Sequence, residues 1–320
     1  GGIDDAFANS VSIASGTDGI YILCGAPHDD DRGSNAGAAY IFHSASAGII
    51  TEQKLTASDG QTLDFLGYSV SIASGTDGIY ALCGAYGEDD KGSLAGAAYI
   101  FHSASATWPS TWIITEQKLT ASAGQTLDFL GSSVSIASGT DGIYALCGAN
   151  GDDDNGNQAG AAYIFHSASA GIITEQKLTA SDGAAEDRFG DSVSIASGTD
   201  GIYVLCGAYL KDTLIGAAYI FHSASAGIIA EQKLTASDGQ FPDKLGSSVS
   251  IASGSDDTLY AVMGAEGASF AASGSGAAYM FAGAFGSLSG TIGIQNVQQD
   301  YKQHGKLFGL GLGDVYDPAY

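Results

Sequence analysis

Three acidic clusters carry the strongest chemical signal in this 320-residue sequence: Asp29-Asp30-Asp31, Glu88-Asp89-Asp90 and Asp152-Asp153-Asp154. Asp212 and Glu266 stand as single acids at two further places of the same kind. Carboxylate oxygens gathered in a loop are the donor set of a hard cation, which needs several of them at about 2.3–2.6 Å. Asp29, Asp31, Asp89, Asp90, Asp152 and Asp154 are therefore candidate calcium ligands. The other reading makes them solvated turn acids. Calcium is the one cofactor implied, and nothing in the sequence requires it.

Other reactive residue types recur too regularly to form one centre. Cys24, Cys83, Cys147 and Cys206 fall at one position of a repeating pattern, with Met263 at the fifth. Equivalent positions in packed sheets stand about 10 Å apart, beyond the reach of a disulfide. The four are expected to be buried free thiols that pack as small apolar groups. His43, His102, His166 and His222 each end the same recurring segment and cannot converge on one metal. No Gly-x-Ser-x-Gly elbow and no Gly-Lys-Ser or Gly-Lys-Thr phosphate loop occurs. A hydrolase built on two acids far apart in the chain stays open. Trp108 and Trp112 form the single unique aromatic pair, suited to stacking on a sugar or anchoring a partner, or to packing on their own unit.

The elements that position these residues follow from composition. With 47 Gly, and Ile, Val, Tyr and Phe among the larger side chains, the chain favours strands joined by tight turns over long helices. Lys and Arg number 11 against 35 Asp and Glu, a net charge of −24. Affinity for nucleic acid comes from clustered cations, so that partner is excluded; protein, through self-association or on a surface, or glycan fits better. No apolar run approaches the ~18 residues of a membrane-spanning helix, so no membrane insertion is expected. The chain begins Gly1-Gly2-Ile3, and its only methionines are Met263 and Met280. It reads as a processed chain, secreted or held at the cell surface.

The string Ser-Val-Ser-Ile-Ala-Ser-Gly, complete or nearly so, recurs with its Val at 11, 70, 134, 193 and 249. The intervals are 59, 64, 59 and 56 residues, and the longest holds the segment with both tryptophans. Units are bounded near 4–59, 60–123, 124–182, 183–238 and 239–297, followed by a tail, 298–320. Each unit contains four runs of strand length. In the second unit Gly75-Thr76-Asp77-Gly78 joins the first two runs, and both glycines are expected to supply the positive φ of a tight hairpin. The second and third runs are nearly all apolar, as in Ala97-Ala98-Tyr99-Ile100-Phe101, and must be covered on both faces. The fourth alternates and carries charge, with Lys54, Lys118, Lys177 and Lys233 at one position, as an outer edge strand should. Such units cannot stand alone and stack. The expected fold is all-β, a β-propeller of five four-stranded blades with a C-terminal tail outside the repeat; a linear β-solenoid is the competitor.

Phe189-Gly190 followed by Ser192-Val193-Ser194-Ile195 and then Cys206-Gly207-Ala208 resembles the FG-GAP repeat of integrin α-subunit propellers, with Gly25-Ala26-Pro27 matching the second triplet outright. Leu178-Thr179-Ala180-Ser181-Asp182-Gly183 is similar to the microbial and algal surface-protein branch of that family. The resemblance spans about residues 4–281. It implies a propeller whose calcium loop joins the first two strands as Asp-x-Asp-x-Asp-Gly. Here that loop is Ser138-Gly139-Thr140-Asp141-Gly142, with one carboxylate, so the family's site is absent. Phe-Gly is replaced by Leu66-Gly67, Leu130-Gly131 and Leu245-Gly246, and the first unit has Phe7-Ala8. Family propellers often have seven blades, so five units either close at five or leave the ring incomplete.

Residues 291–297 are expected to supply the fourth strand of the fifth unit. Beyond them Phe308-Gly309-Leu310-Gly311-Leu312-Gly313 looks like the start of a sixth unit. Phe308 and Leu310 are candidate partner-binding residues, because the tail either folds back as a cap or adds a strand to another molecule. The expected function is a non-enzymatic extracellular structural or adhesion protein, such as a subunit of a surface or filamentous assembly. The alternative is a multivalent glycan-binding propeller, ahead of a polysaccharide hydrolase.

Overall fold

Alternating small and apolar residues in the recurring string make it the first strand of a four-stranded antiparallel sheet, and this happens five times. A computed structural model describes residues 4–45, 50–103, 114–168, 172–224, 228–256, 258–269 and 275–294. The first sheet is β1 (Val11–Gly16), β2 (Gly19–Ala26), β3 (Ala38–Ala45) and β4 (Ile50–Leu55). The second is β5 (Val70–Gly75), β6 (Gly78–Ala85), β7 (Ala97–Ser103) and β8 (Ile114–Leu119). The third is β9 (Ser133–Gly139), β10 (Gly142–Ala149), β11 (Ala161–Ala168) and β12 (Ile172–Leu178). The fourth is β13 (Val193–Ser197), β14 (Ile202–Ala208), β15 (Ala217–Ala224) and β16 (Ile228–Leu234). The fifth is β17 (Leu245–Ser253), β18 (Leu259–Ala265), β19 (Ala277–Gly283) and β20 (Ser289–Ile294), the last lying slightly earlier than expected.

In every sheet the strands follow sequence order from first to fourth. The hairpin between β5 and β6 pairs Gly75 with Gly78, leaving a two-residue loop. Only its second glycine, at φ +146°, needs the conformation both were expected to need. Gly75 is small for a different reason: a Cβ there would lie 2.8 Å from the Tyr80 ring.

Successive sheets meet through their first strands, β1 on β5, β5 on β9, β9 on β13 and β13 on β17, which fits a β-propeller. Each junction closes a core shared by two sheets. Leu82, Ala98 and Ile100 of the second sheet pack with Val134, Ile136, Tyr163 and Phe165 of the third. Serine hydroxyls add polar ties across the same seam: Ser10 Oγ accepts from Val70 N–H at 3.0 Å, and Ser12 Oγ from Ile72 N–H at 3.1 Å. Ser69 and Ser71 repeat this toward Val134 and Ile136, and Ser133 and Ser135 toward Val193 and Ile195. Leu66, Leu130, Phe189 and Leu245 are all buried at junctions and each forms a parallel bridge to a glycine of the preceding unit. The site takes a large apolar side chain, and Leu and Phe are equally buried in it.

The two ends of the array differ from its interior. Val11 and Ile13 are 62% and 66% exposed, whereas their equivalents Val70 and Ile72 are 5% and 6% exposed. At the other end Tyr260 and Val262 are exposed, although Leu82, Leu146 and Leu205, equivalent to Val262, are fully buried. Among the described residues β1 and β17 form no junction like the other four.

Candidate functional site

The acidic clusters lie in the loops after β2, β6 and β10, and each receives a lysine from the edge strand of its own sheet. Lys54 Nζ stands 2.6 Å from Asp29 Oδ2 and 2.5 Å from Asp31 Oδ2. Lys177 Nζ stands 2.6 Å from both Asp152 and Asp154. Lys118 Nζ contacts Glu88, Asp90 and, from the preceding unit, Asp59 at 2.7, 2.6 and 2.8 Å. Each ammonium also lies over a tyrosine ring, as Lys118 does 5.6 Å from the Tyr99 centroid. Burial works to raise the Asp29 carboxyl, but hydrogen bonds from Lys54, the Asp31 N–H and the Tyr40 hydroxyl outweigh it and hold it below the usual range. Glu88, Asp89 and Asp90 present oxygens within 4.8 Å of one another, and Lys118 is the cation among them. The lysine row was visible in the sequence, yet its partnership with the acids was not, because the two lie about 25–30 residues apart.

The fourth sheet reverses the arrangement. Lys211 occupies the place of Asp29, Glu88 and Asp152, and its Nζ reaches Asp187 at 2.9 Å. Asp212 pairs with Lys233 at 3.3 Å, and Glu266 with Lys244 at 2.8 Å.

Asp64 and Asp128 are buried in the loops leading into the second and third sheets. Burial pushes both carboxyls up to about 6, although each accepts a backbone N–H, from Gln61 and Gln125, at 2.7 Å. Their equivalents Asp187 and Asp243 hold the same turn. These perturbed acids are a repeated structural device, with no unique partner of the kind catalysis uses.

Two grooves between sheets have matching chemistry. One, of about 400 Å³, lies between the third and fourth sheets and is lined by Asp141, Tyr144, His166, Thr174 and Gln176, facing Thr199 and Asp200. The other, of about 620 Å³, lies between the second and third and is lined by Asp77, Tyr80, His102, Thr115 and Gln117, facing Thr140 and Asp141. In each, tyrosine and histidine stack, with centroids 4.1 Å apart for Tyr144 and His166 and 4.0 Å for Tyr80 and His102. The tyrosine hydroxyl donates to the hairpin aspartate at 2.8 Å. His166 Nε2 lies 3.7 Å from Asp141, and His102 Nε2 3.8 Å from Asp77. Both imidazole nitrogens are buried without a hydrogen-bond partner. The wall of each groove thus offers carboxylate and amide oxygens, hydroxyls and an amide N–H₂ within a short span.

The same triad occurs in the first and fourth sheets with a different surround. Tyr21 and His43 are themselves buried there, and Phe285 lies 5.3 Å from the His222 ring. The sequence marks the histidines only as strand-end residues and the hairpin aspartate only as the one carboxylate of its loop. Their union with Tyr, Thr and Gln is not legible there, because these residues are spread over different recurring strings.

Cys24, Cys83, Cys147 and Cys206 are all free and buried. Trp108, Trp112, Phe308 and Leu310 lie outside the described residues.

Solved structures of similar outline include a fucose-specific lectin from Aleuria aurantia, at 12% identity and TM-score 0.46, covering 90% of this chain and 78% of that one. A thermostable family-43 glycoside hydrolase matches at 10% identity and TM-score 0.48, covering 92% and 95%. An α-L-arabinofuranosidase from Lactobacillus brevis matches at 13% identity and TM-score 0.47, covering 81% and 83%. No curated protein matches the sequence. The model of the FG-GAP repeat matches five times, over residues 1–42, 50–101, 114–165, 173–221 and 229–281. The recurring first-strand strings and the paired junction glycines fall within these matches, and the chain belongs to the FG-GAP repeat family.

Proposed function

We propose that this chain is a non-catalytic extracellular adhesion protein whose five propeller-type blades hold neutral glycan in equivalent grooves between them. The observation that carries this is the repetition of one polar set, Asp-Tyr-His-Thr-Gln, in two successive grooves. Sugars present hydroxyls that both donate and accept, and a wall of carboxylate, hydroxyl and amide groups meets them at both capacities. An aspartate already oriented by a tyrosine hydroxyl is positioned to accept from a sugar diol with little further ordering. Two equal sites suit binding to a repeating polymer, where the second contact is intramolecular and avidity offsets a weak single site. Catalysis draws on one uniquely tuned pair of groups, and here the tuned groups come in copies.

The charge sets the ligand class. At −24 the protein repels acidic polysaccharide, and its edge-strand lysines are already paired with aspartate or glutamate. A microarray of neutral and acidic glycans tests the reading. Retention of neutral glycans by the wild type, lost in the Asp77→Asn/Asp141→Asn variant, supports it. Equal retention by both proteins, or retention of acidic glycans alone, rejects it. Changing Trp108 and Trp112 in the same format tells whether that pair takes part.

A further inference from the structure

We propose that residues 308–312 of this chain seat on the open face of the fifth blade, as the first strand of a sixth unit. The face is built like the interior ones. Ser10, Ser12, Ser69, Ser71, Ser133, Ser135 and Ser194 each accept an N–H from the following blade. Their fifth-blade equivalents Ser248 and Ser250 are exposed, beside exposed Tyr260 and Val262.

Gly264 marks the seat. At Gly25, Gly84, Gly148 and Gly207 an added Cβ would lie 1.8, 2.0, 1.9 and 2.0 Å from the carbonyl oxygen of a glycine in the next unit. At Gly264 the three nearest atoms it would meet among the described residues all belong to serine side chains of its own blade. Those partner glycines follow 42, 47, 42 and 39 residues later, and Gly309 follows Gly264 by 45. Phe308 precedes Gly309 as Phe189 precedes Gly190, and Leu312 stands three residues on, where Val70, Val134, Val193 and Val249 stand. Phe308 then fills the slot of Leu66, Leu130, Phe189 and Leu245. The N–H of Leu312 meets Ser248 Oγ, as that of Val70 meets Ser10 Oγ.

The competing occupant is a first blade, of this chain by ring closure or of a second copy, and Ala8 opposes both. Ala8 N–H donates to Gly25 O at 2.8 Å, as Gly67 N–H does to Gly84 O at 2.9 Å, so Ala8 holds the slot that is glycine in later units. A Cβ in that slot at Gly67 would lie 2.3 Å from Ala38 O of the preceding blade. The first blade therefore carries a methyl where a preceding blade would have to fit, and the array extends in one direction.

The test is a cysteine pair, Ser248→Cys with Leu312→Cys, in the full chain, treated with a short bis-thiosulfonate and weighed under denaturing conditions; the four native thiols are buried. The expected product is an internally linked monomer, formed independently of protein concentration. A linked dimer would assign the face to a second copy. Absence of any link, while Ser10→Cys with Val70→Cys links readily, would leave the face open; either result overturns the proposal. As a second readout, Gly264→Ala should lower the melting temperature as much as Gly207→Ala does. A melting temperature unchanged by Gly264→Ala also overturns it.

Discussion

Gly25 and Gly67 stand back to back across the first junction, so close that a Cβ on Gly25 would lie 1.8 Å from the Gly67 carbonyl oxygen. The same approach joins Gly84 to Gly131, Gly148 to Gly190 and Gly207 to Gly246. The two glycine motifs that recur in this chain are thus the two halves of one contact, one half carried by each blade.

Enlarging one half should open a seam. Gly148→Ala puts a methyl 1.9 Å from the Gly190 carbonyl oxygen, which no side-chain rotation relieves. Overpacking of this kind costs about 1–3 kcal/mol or more. A lowered melting temperature is expected, with earlier exchange of amides in β9 and β13, which meet there, than in β1. Wild-type melting would disprove the contact.

Lys118 should matter more than a surface lysine. Its removal by Lys118→Met leaves Glu88, 1% exposed, without its cation. The expected loss is about 2 kcal/mol, below the range for fully buried pairs because the lysine is 20% exposed. In the wild type, melting should be the same in calcium and in EDTA, since an ammonium already sits among the carboxylates. A calcium-dependent rise would instead identify the acidic loops as a cation site.

Stability should peak under mild acid. Asp64 and Asp128 have folded values near 6, above the ordinary carboxyl value, so the folded state binds protons more tightly there. Their contribution is lost as pH rises through 6 and recovered on acidification. Asp29, Asp59 and Asp182 are held low, so their contribution is lost as pH falls below about 4. The melting temperature should therefore rise from pH 7 to about 5 and fall below about 4. In Asp64→Asn/Asp128→Asn the first limb should flatten; a limb of unchanged slope would contradict the assignment.

How far the sequence exposes this structure depends on how local each cause is. Strands, hairpins and sheet order are local and repeat, so the strings ending at Gly75 or beginning at Gly78 announce them. The burial of four thiols follows from the same periodicity. Contacts between elements are less legible. Lys118 reaches Asp59 across a junction, and the groove needs Asp77, His102 and Gln117 from three segments facing Asp141 from a fourth. Asp64 reads as one more acid until burial singles it out. The open ends are also hidden, because Val11 and Val70 sit in the same string although only Val70 is buried.

The thiols offer a graded check of the junctions. Cys83, Cys147 and Cys206 are fully buried, and Cys24 is 7% exposed. Burial raises all four thiol pKa values, which disfavours the reactive thiolate. Native protein treated with iodoacetamide should be labelled slowly, with Cys24 first, as read by peptide mass. Rapid and equal labelling of all four would deny the shared cores.

Calorimetric titration with a neutral glycan retained in the array experiment tests the central claim most directly. The account predicts two equivalent sites per chain, one removed by Asp77→Asn and both weakened by Asp141→Asn, whose carboxylate lines both grooves. A single site, or two sites indifferent to both substitutions, would contradict it.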